Sequence, residues 1–283
     1  MHLLQAVLMG IVQGLSEFLP ISSSGHLVFT SNFYKIHKGL DIAQISSQEV
    51  FLDIMLHLGT LIAVIIFFRK EIMDILKAIC FAFKNKKFDD MNFKMGMYII
   101  LGTFLTILVA VPFKDICAKL VFMPSTVALL LICTGVLLLF SEYCAEKHTE
   151  KHPVTLKSSI FIGLAQGLAS LPGFSRSGLT IASGMLSGTD RITSAKYSFL
   201  LSIPVILGAS MIYPAVEIDF AEIITYNWTA IIAGTLVSTI VGYFCIKYFI
   251  KFVEKFSLGF FGYYCIIMGV IAFIFFGGVK VWS

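Results

Sequence analysis

The chain has 283 residues, of which 58% are hydrophobic and 13% charged, and its mean hydropathy is +0.90. Soluble domains contain about 45–50% apolar and about 25% charged residues, so this composition excludes a soluble domain, a disordered chain and a disulfide-rich scaffold. The formal net charge of +4 is too small to indicate a nucleic-acid partner. The composition indicates a polytopic protein that is embedded in a lipid bilayer.

A transmembrane helix needs about 20 predominantly apolar residues. Region 1–34 is apolar but interrupted at 20–25, and region 158–187 is interrupted at 172–178, so their arms are too short to cross alone. Six uninterrupted stretches are long enough, namely 50–68, 95–112, 125–142, 194–214, 228–250 and 257–279. We therefore predict an all-α polytopic membrane protein with six transmembrane helices and two re-entrant helix–loop–helix hairpins.

The two interrupted regions resemble each other when one is shifted by 153 positions, which places Gly10 on Gly163 and several later residues on identical ones. Residues 1–150 and 154–283 are therefore predicted to be two copies of one unit, a hairpin followed by three transmembrane helices, within one membrane domain. Three crossings are an odd number, so the second copy is inverted. The hairpin tips are then expected to meet near mid-membrane, where inverted repeats commonly form a polar site. The glycine pairs four residues apart in both first arms are typical of close helix packing.

Basic residues indicate the orientation of the chain. Segment 69–94 is rich in Lys and Arg, whereas segment 215–227 contains neither. By the positive-inside rule, the first segment is predicted to be cytoplasmic and the second to lie outside. The first hairpin then enters from outside, so a site at its tip is expected to be reached from the outer side.

The first interruption carries a compact group of polar residues. Gln13 and Glu17 lie four apart and share a helix face, and three hydroxyls at Ser22–Ser24 are followed by His26. A charged side chain at mid-membrane costs about 2.5–3.5 kcal/mol on insertion scales, so such residues are expected to be paired and to face a cavity. The combination of carboxylate, hydroxyl and imidazole is typical of a site that transfers protons.

The second interruption combines Arg176 with hydroxyls at the start of a helix. Helix N-terminal amides together with an Arg side chain form an anion site suited to phosphate oxygens. An alternative for Glu17 and Arg176 is a structural ion pair that ties the two hairpin tips together. Asp53 and His57, four apart in an apolar helix, either anchor that helix at the interface or support the site from a second layer.

Two motifs carry a resemblance to a known family. Glu17-Phe-Leu-Pro-Ile-Ser-Ser-Ser-Gly-His26 and Pro172-Gly-Phe-Ser-Arg-Ser-Gly178 resemble the signatures of the undecaprenyl-diphosphate phosphatases, the bacitracin-resistance membrane phosphatases of bacteria. The resemblance covers essentially the whole chain. It implies hydrolysis of undecaprenyl diphosphate to undecaprenyl phosphate and inorganic phosphate, which recycles the lipid carrier for peptidoglycan and other envelope polymers. It also implies dependence on Mg²⁺ or Ca²⁺ and a location in the bacterial inner membrane.

The expected partners follow from the same resemblance. They are the polyprenyl diphosphate substrate and the bilayer, with bacitracin competing for the substrate rather than binding the protein. A homodimer is a candidate assembly.

The resemblance and the residue chemistry together suggest roles for the polar side chains. Catalysis is assigned to Glu17, Ser23, His26 and Arg176. Phosphate binding is assigned to Ser24, Ser175, Arg176, Ser177 and Thr180. In this hypothesis Ser23 is the nucleophile and His26 relays its proton, while attack by a water that Glu17 activates is the open alternative.

Two residues are candidate ligands for the metal. Glu17 would hold it, and Gln13 is a weaker ligand candidate because it stands where the family often has Glu and brings no charge. Asp53 is assigned to the second layer.

Two rival functions share features with this sequence. A transporter or flippase for polyprenyl phosphate would use the same inverted-repeat site, because broken helices are a transporter design. A lipid phosphatase of the phosphatidate-phosphatase type is excluded, because Ile181 stands where that family has a His after its Ser-Arg pair. The hydroxyl, His, Glu and Arg set favours an enzyme, since binding alone has no need of a nucleophile.

Overall fold

The computed structural model of the protein describes residues 2–39, 46–147, 152–217 and 220–277. Within these ranges the chain is helical, and its extended segments pair at one isolated bridge between His152 and Thr189. In chain order the helices are α1 (Leu3–Ser16), α2 (Ser23–Lys38), α3 (Ser47–Phe67), α4 (Arg69–Asn85), α5 (Met91–Ala110), a 3₁₀ turn (Val111–Phe113), α6 (Lys114–Leu120), α7 (Pro124–Lys147), α8 (Leu156–Leu168), α9 (Arg176–Leu186), α10 (Arg191–Glu217), α11 (Phe220–Ile223), α12 (Trp228–Lys255) and α13 (Gly259–Gly277). The predicted all-α class is confirmed.

Six of the described helices are long and apolar enough to cross a bilayer. The candidate spans are Ser47–Phe67, Met91–Leu120 (α5 continued by the 3₁₀ turn and α6), Pro124–Lys147, Arg191–Ile212 (most of α10), Trp228–Lys255 and Gly259–Gly277. Each coincides with a predicted span, so the chain is a multi-pass membrane protein. Residues 278–279, which end the last predicted span, and residues 218–219 of the predicted outer segment lie outside the described residues.

Helix α4 was not predicted, although it lies within the basic segment 69–94. Its charged residues keep every apolar run far shorter than the roughly 20 residues that a transmembrane helix needs, so the segment did not meet the length criterion for a span. Its amphipathic pattern is that of a helix at a surface rather than across a membrane.

Both interrupted regions form helical hairpins whose loops lie where the sequence predicts them. Ser22 caps α2 by accepting a hydrogen bond from the Gly25 amide at 3.1 Å, and Ser175 caps α9 through the Gly178 amide at 3.0 Å. Hydroxyls of this kind at an N-cap satisfy amides that have no partner within the helix. The same residue types therefore start the second arm of each hairpin.

The two loops contact each other directly. The Ser22 hydroxyl donates to the Phe174 carbonyl at 3.1 Å, and the Ser177 hydroxyl donates to the Leu19 carbonyl at 2.8 Å. Each loop therefore satisfies a partly buried carbonyl of the other. The polar residues of both motifs are brought to one place.

Close glycine contacts hold the first arm of each hairpin. A Cβ added to Gly10 of α1 would lie 2.5 Å from the Gly234 carbonyl oxygen of α12, and one added to Gly163 of α8 would lie 2.8 Å from the Gly102 Cα of α5. Only glycine permits such backbone approach, so the predicted packing role of these positions is confirmed. Each hairpin is thereby fixed against a long helix of the other half of the chain.

Candidate active site

One carboxylate joins the two loops. Oε1 of Glu17 accepts a hydrogen bond from Nη2 of Arg176 at 2.6 Å. Oε2 accepts one from the Ser23 hydroxyl at 2.7 Å and another from Nε2 of Gln13 at 2.9 Å. The Glu17 side chain is 5% exposed, so these contacts replace water as its solvation. Residues from α1, α2 and α9 thus converge on a single buried anion.

A histidine of α3 also lies close to the Glu17 carboxylate. Nε2 of His57 lies 3.8 Å from Oε2 of Glu17, and Nδ1 donates to the Asp53 main-chain carbonyl at 2.8 Å. The sequence left two roles open for Asp53 and His57, which were to anchor α3 at the interface or to support the site from a second layer. The structure places His57 beside the site. Asp53 contributes to the arrangement through its backbone.

Arg176 keeps donors available for an anion. Its side chain is 17% exposed, and its second described contact, from Nη1 to the Ser198 carbonyl, is long at 3.4 Å. A guanidinium has five N–H donors, so these two contacts leave others free to bind phosphate oxygens. Helices α2 and α9 also begin at the two loops, and their N-terminal amides favour negative charge.

Three hydroxyls that were expected to bind phosphate are buried and bonded within the protein. Ser175 accepts from the Gly178 amide, Ser177 donates to the Leu19 carbonyl, and Thr180 shares a 2.6 Å hydrogen bond with Ser198. In this structure they shape the second loop rather than line the site. Ser24 is only partly buried, and its hydroxyl lies 3.4 Å from that of Ser22.

His26 is bonded at both ring nitrogens. A carbonyl only accepts, so Nδ1 donates to the Ser22 carbonyl at 2.8 Å, and Nε2 of the neutral ring accepts from the Tyr264 hydroxyl at 2.8 Å. The Ser23 hydroxyl is bonded to Glu17 instead, so the predicted Ser23-to-His26 proton relay differs from the hydrogen bonds of the structure. Tyr264 carries no signal in the sequence, because it is one of many aromatic residues in an apolar helix.

Ser22 adopts an unusual backbone conformation at the tip of the first loop. Its φ of +69° lies in the region that non-glycine residues rarely occupy. The conformation aims its carbonyl at His26 and its hydroxyl at the second loop. Strain of this kind persists where surrounding contacts over-determine it, and it concentrates at functional sites.

Comparison with known proteins decides which family this arrangement belongs to. Residues 6–271 match the family described as bacitracin resistance protein BacA. The chain belongs to the BacA family. The resemblance carried by the two motifs is therefore confirmed.

Several curated relatives of this BacA-family chain carry the name undecaprenyl-diphosphatase. The protein of Methanobrevibacter smithii is 38% identical and that of Halothermothrix orenii 37% identical, each over 97% of this chain and 98% of the relative. The protein of Carboxydothermus hydrogenoformans is 36% identical over 95% of this chain and 96% of the relative. Similarity along both full lengths covers both loops and all six spans.

The oxygen atoms near Glu17 determine whether this BacA-family site fits a metal ion. Among the described residues there is no group of three or more His, Cys, Asp or Glu placed to hold one. Gln13 directs its Nε2 to Glu17, which leaves its buried Oε1 without a hydrogen-bond partner. Mg²⁺ is commonly held by one or two carboxylates together with substrate phosphates and water. The carboxylate of Glu17 and the unbonded amide oxygen of Gln13 are the oxygen donors that such a cation would find here.

Proposed function

We propose that this BacA-family protein hydrolyses undecaprenyl diphosphate to undecaprenyl phosphate and inorganic phosphate. The observation that carries the proposal is the contact of Glu17 with both Arg176 and Ser23. These three side chains offer a proton acceptor, a phosphate-binding cation and a nucleophile within one buried site. The name that the relatives bear supports the choice of substrate.

In the proposed reaction Ser23 attacks the terminal phosphorus as Glu17 accepts the hydroxyl proton. The new Ser23 O–P bond replaces the anhydride P–O bond, and undecaprenyl phosphate leaves with the proton that Glu17 accepted, which regenerates the carboxylate. Water then attacks the phosphoserine, which restores the hydroxyl and releases inorganic phosphate. The 2.7 Å hydrogen bond from Ser23 to Glu17 supports this direction of proton transfer.

Arg176 stabilises the charge of the phosphate groups in this proposal. Phosphoryl transfer depends mainly on positioning and on electrostatic stabilisation of oxygens in a site that excludes water. Glu17 and Gln13 would hold a divalent cation, Mg²⁺ or Ca²⁺, which when bound neutralises further negative charge. His26, tied to the first loop and to α13, would orient the start of α2.

The arrangement in the membrane is part of the proposal. Residues 1–150 and 154–283 form an inverted repeat with two re-entrant hairpins, which the reciprocal packing of α1 on α12 and α8 on α5 supports. The polyprenyl tail lies along the apolar helices. The basic segment 69–94 supports opening of the site towards the outer leaflet of the bacterial inner membrane.

In that location hydrolysis recycles the lipid carrier for peptidoglycan synthesis. It also counteracts bacitracin, which competes for the same diphosphate lipid.

A polyprenyl-phosphate transporter on the same inverted repeat is the alternative. A carrier needs a cation such as Arg176 to bind the headgroup. It has no need of a serine hydroxyl bonded to a carboxylate, so the Ser23–Glu17 contact favours the phosphatase.

Phosphate release from the detergent-purified protein tests the proposal, with a polyprenyl diphosphate as substrate and with or without EDTA. We expect metal-dependent release that falls by about a hundredfold or more in Arg176→Ala. Arg176→Lys keeps the charge but loses the planar fork, so it should recover only part of the rate. The exposed Arg69→Ala is the matched control and should release phosphate at the wild-type rate.

Two results would overturn the proposal. One is an unchanged rate in Arg176→Ala. The other is no phosphate release from a folded wild-type protein, which would favour the transporter. Folding is checked by gel filtration and thermal melting, because removing one partner of a buried ion pair is itself destabilising.

A further inference from the structure

Helix α4 is held where the chain leaves and re-enters the bilayer. It begins at Arg69, separated from the end of the membrane-spanning α3 only by the buried Phe68. It packs on the first turns of α5, where a Cβ on Gly96 would lie 2.8 Å from Ile79 Cδ1 and the Phe83 and Phe93 ring centroids are 6.3 Å apart. Both neighbours are spans, so α4 is fixed at the level of a membrane surface.

The exposed surface of α4 is divided into stripes. At 100° per residue, Ile75, Ile79 and Ala82 share the face that packs on the protein. Beside them runs an apolar stripe that the described part of the chain leaves mostly exposed, although the ring of Phe83 at its end also contacts Phe93. Its members are Met73 (50% exposed), Leu76 (51%), Cys80 and Phe83 (66%).

Charged and polar residues occupy most of the remaining surface, where Phe81, which is 56% exposed and lies beside Asp74, is the apolar exception. A basic stripe lies next to the apolar one, on the side opposite Ile75, Ile79 and Ala82, and consists of Arg69, Lys70, Lys77 and Lys84. The polar residues Glu71, Asp74 and Asn85 lie opposite the apolar stripe. Lys77 also lines a surface groove with Asp74 of α4 and with Asp90, the N-cap of α5.

We infer that α4 lies in the headgroup layer of the cytoplasmic leaflet and binds anionic phospholipids through its basic stripe. The apolar stripe then enters the acyl-chain boundary, and the acidic face points to water. A Lys side chain beside an apolar stripe keeps its stem in lipid and its ammonium at the phosphate level. This inference is independent of the phosphatase proposal, because it concerns a surface that contributes no residue to the Glu17 site.

The lipid partner is tested by extracting the protein from vesicles of phosphatidylglycerol and phosphatidylcholine in equal parts and measuring the ratio of the two lipids that co-purify. The triple variant Lys70→Gln, Lys77→Gln, Lys84→Gln should lose phosphatidylglycerol enrichment by about fivefold for each lysine that contacts a headgroup. The matched control is Lys247→Gln, Lys251→Gln, Lys255→Gln, which removes the same charge from exposed positions of α12. An equal loss in both variants would overturn the inference, because net charge alone would then explain it.

The depth of the helix is tested with its own thiol. In nanodiscs of the same lipids, where both membrane faces are open, a water-soluble maleimide should label Cys80 slowly. The thiol introduced by Asp74→Cys, on the opposite stripe, should be labelled rapidly, and peptide mapping distinguishes the two from the other cysteines. Rapid labelling of Cys80 would show that the apolar stripe faces water or a soluble partner, which would overturn insertion into lipid.

Discussion

Glu17 and Arg176 lie 159 residues apart in the chain, and their side chains form an ion pair of 2.6 Å at the contact between the two loops. Burying two charges is unfavourable unless their remaining atoms are also bonded, so such a pair alone is weak evidence for a stabilising role. The same carboxylate also accepts from Ser23 and Gln13. These contacts satisfy the remaining lone pairs of the buried carboxylate, and the contact with Ser23 also places a hydroxyl nucleophile against a proton acceptor, which the proposed reaction uses.

The hydroxyl of Ser23 distinguishes the two forms of the reaction. If Ser23 is the nucleophile, Ser23→Ala should lower kcat by about a thousandfold or more, because the covalent route is lost. Ser24→Ala is the matched control, since Ser24 is the next residue and is not bonded to Glu17; it should lose much less. Phosphate release close to the wild-type rate in Ser23→Ala would instead establish direct attack by water.

A substitution at Gln13 tests whether a metal ion binds beside Glu17. Gln13→Glu places a second carboxylate at hydrogen-bond distance from Glu17. Two negative charges at that range repel each other by several kcal/mol, and a bound divalent cation relieves this repulsion. The Mg²⁺ concentration for half-maximal phosphate release should therefore fall by about tenfold or more. The measurement is a Mg²⁺ titration after removal of metal with EDTA. An unchanged midpoint would place the cation away from Gln13.

Tyr264 is expected to act as a positioning residue through His26. Tyr264→Phe removes the donor to Nε2 of His26, so kcat should fall by about tenfold while KM stays unchanged, as loss of one hydrogen bond suggests. The neighbouring Tyr263 is 62% exposed, so Tyr263→Phe should have no effect. A wild-type kcat in Tyr264→Phe would show that the ring of His26 is held without it.

Gly173 tests whether the second loop has to keep its shape. Its φ is +102°, and an added Cβ would lie 2.3 Å from the Val127 carbonyl oxygen. Gly173→Ala should therefore cost more than about 1 kcal/mol of stability and lower phosphate release by displacing Arg176. Gly208→Ala is the control, because its Cβ would meet nothing within 4 Å. Equal thermal midpoints and rates for the two variants would contradict this account.

The sequence predicted the positions of the spans and loops well. Transmembrane helices follow from continuous apolar length, and the hairpin breaks follow from Pro, Gly and Ser, so local residue types suffice for both. Helix α4 was missed because a surface helix carries its hydrophobicity as a narrow stripe. Such a helix is recognised by the face on which its charged residues lie, because its mean hydropathy does not distinguish it from a loop.

The sequence by itself therefore determined the membrane class, the six spans, the two polar loops and the family, because each depends on composition or on a contiguous motif. Only the tertiary structure decided that the hydroxyls of Ser175, Ser177 and Thr180 form hydrogen bonds within the protein. It likewise decided that the Ser23 hydroxyl donates to Glu17. It also paired His26 with Tyr264 across 238 residues. A hydroxyl in a motif has the same chemistry whether it faces a site or a neighbouring carbonyl, and the packing of distant helices decides which of the two it meets.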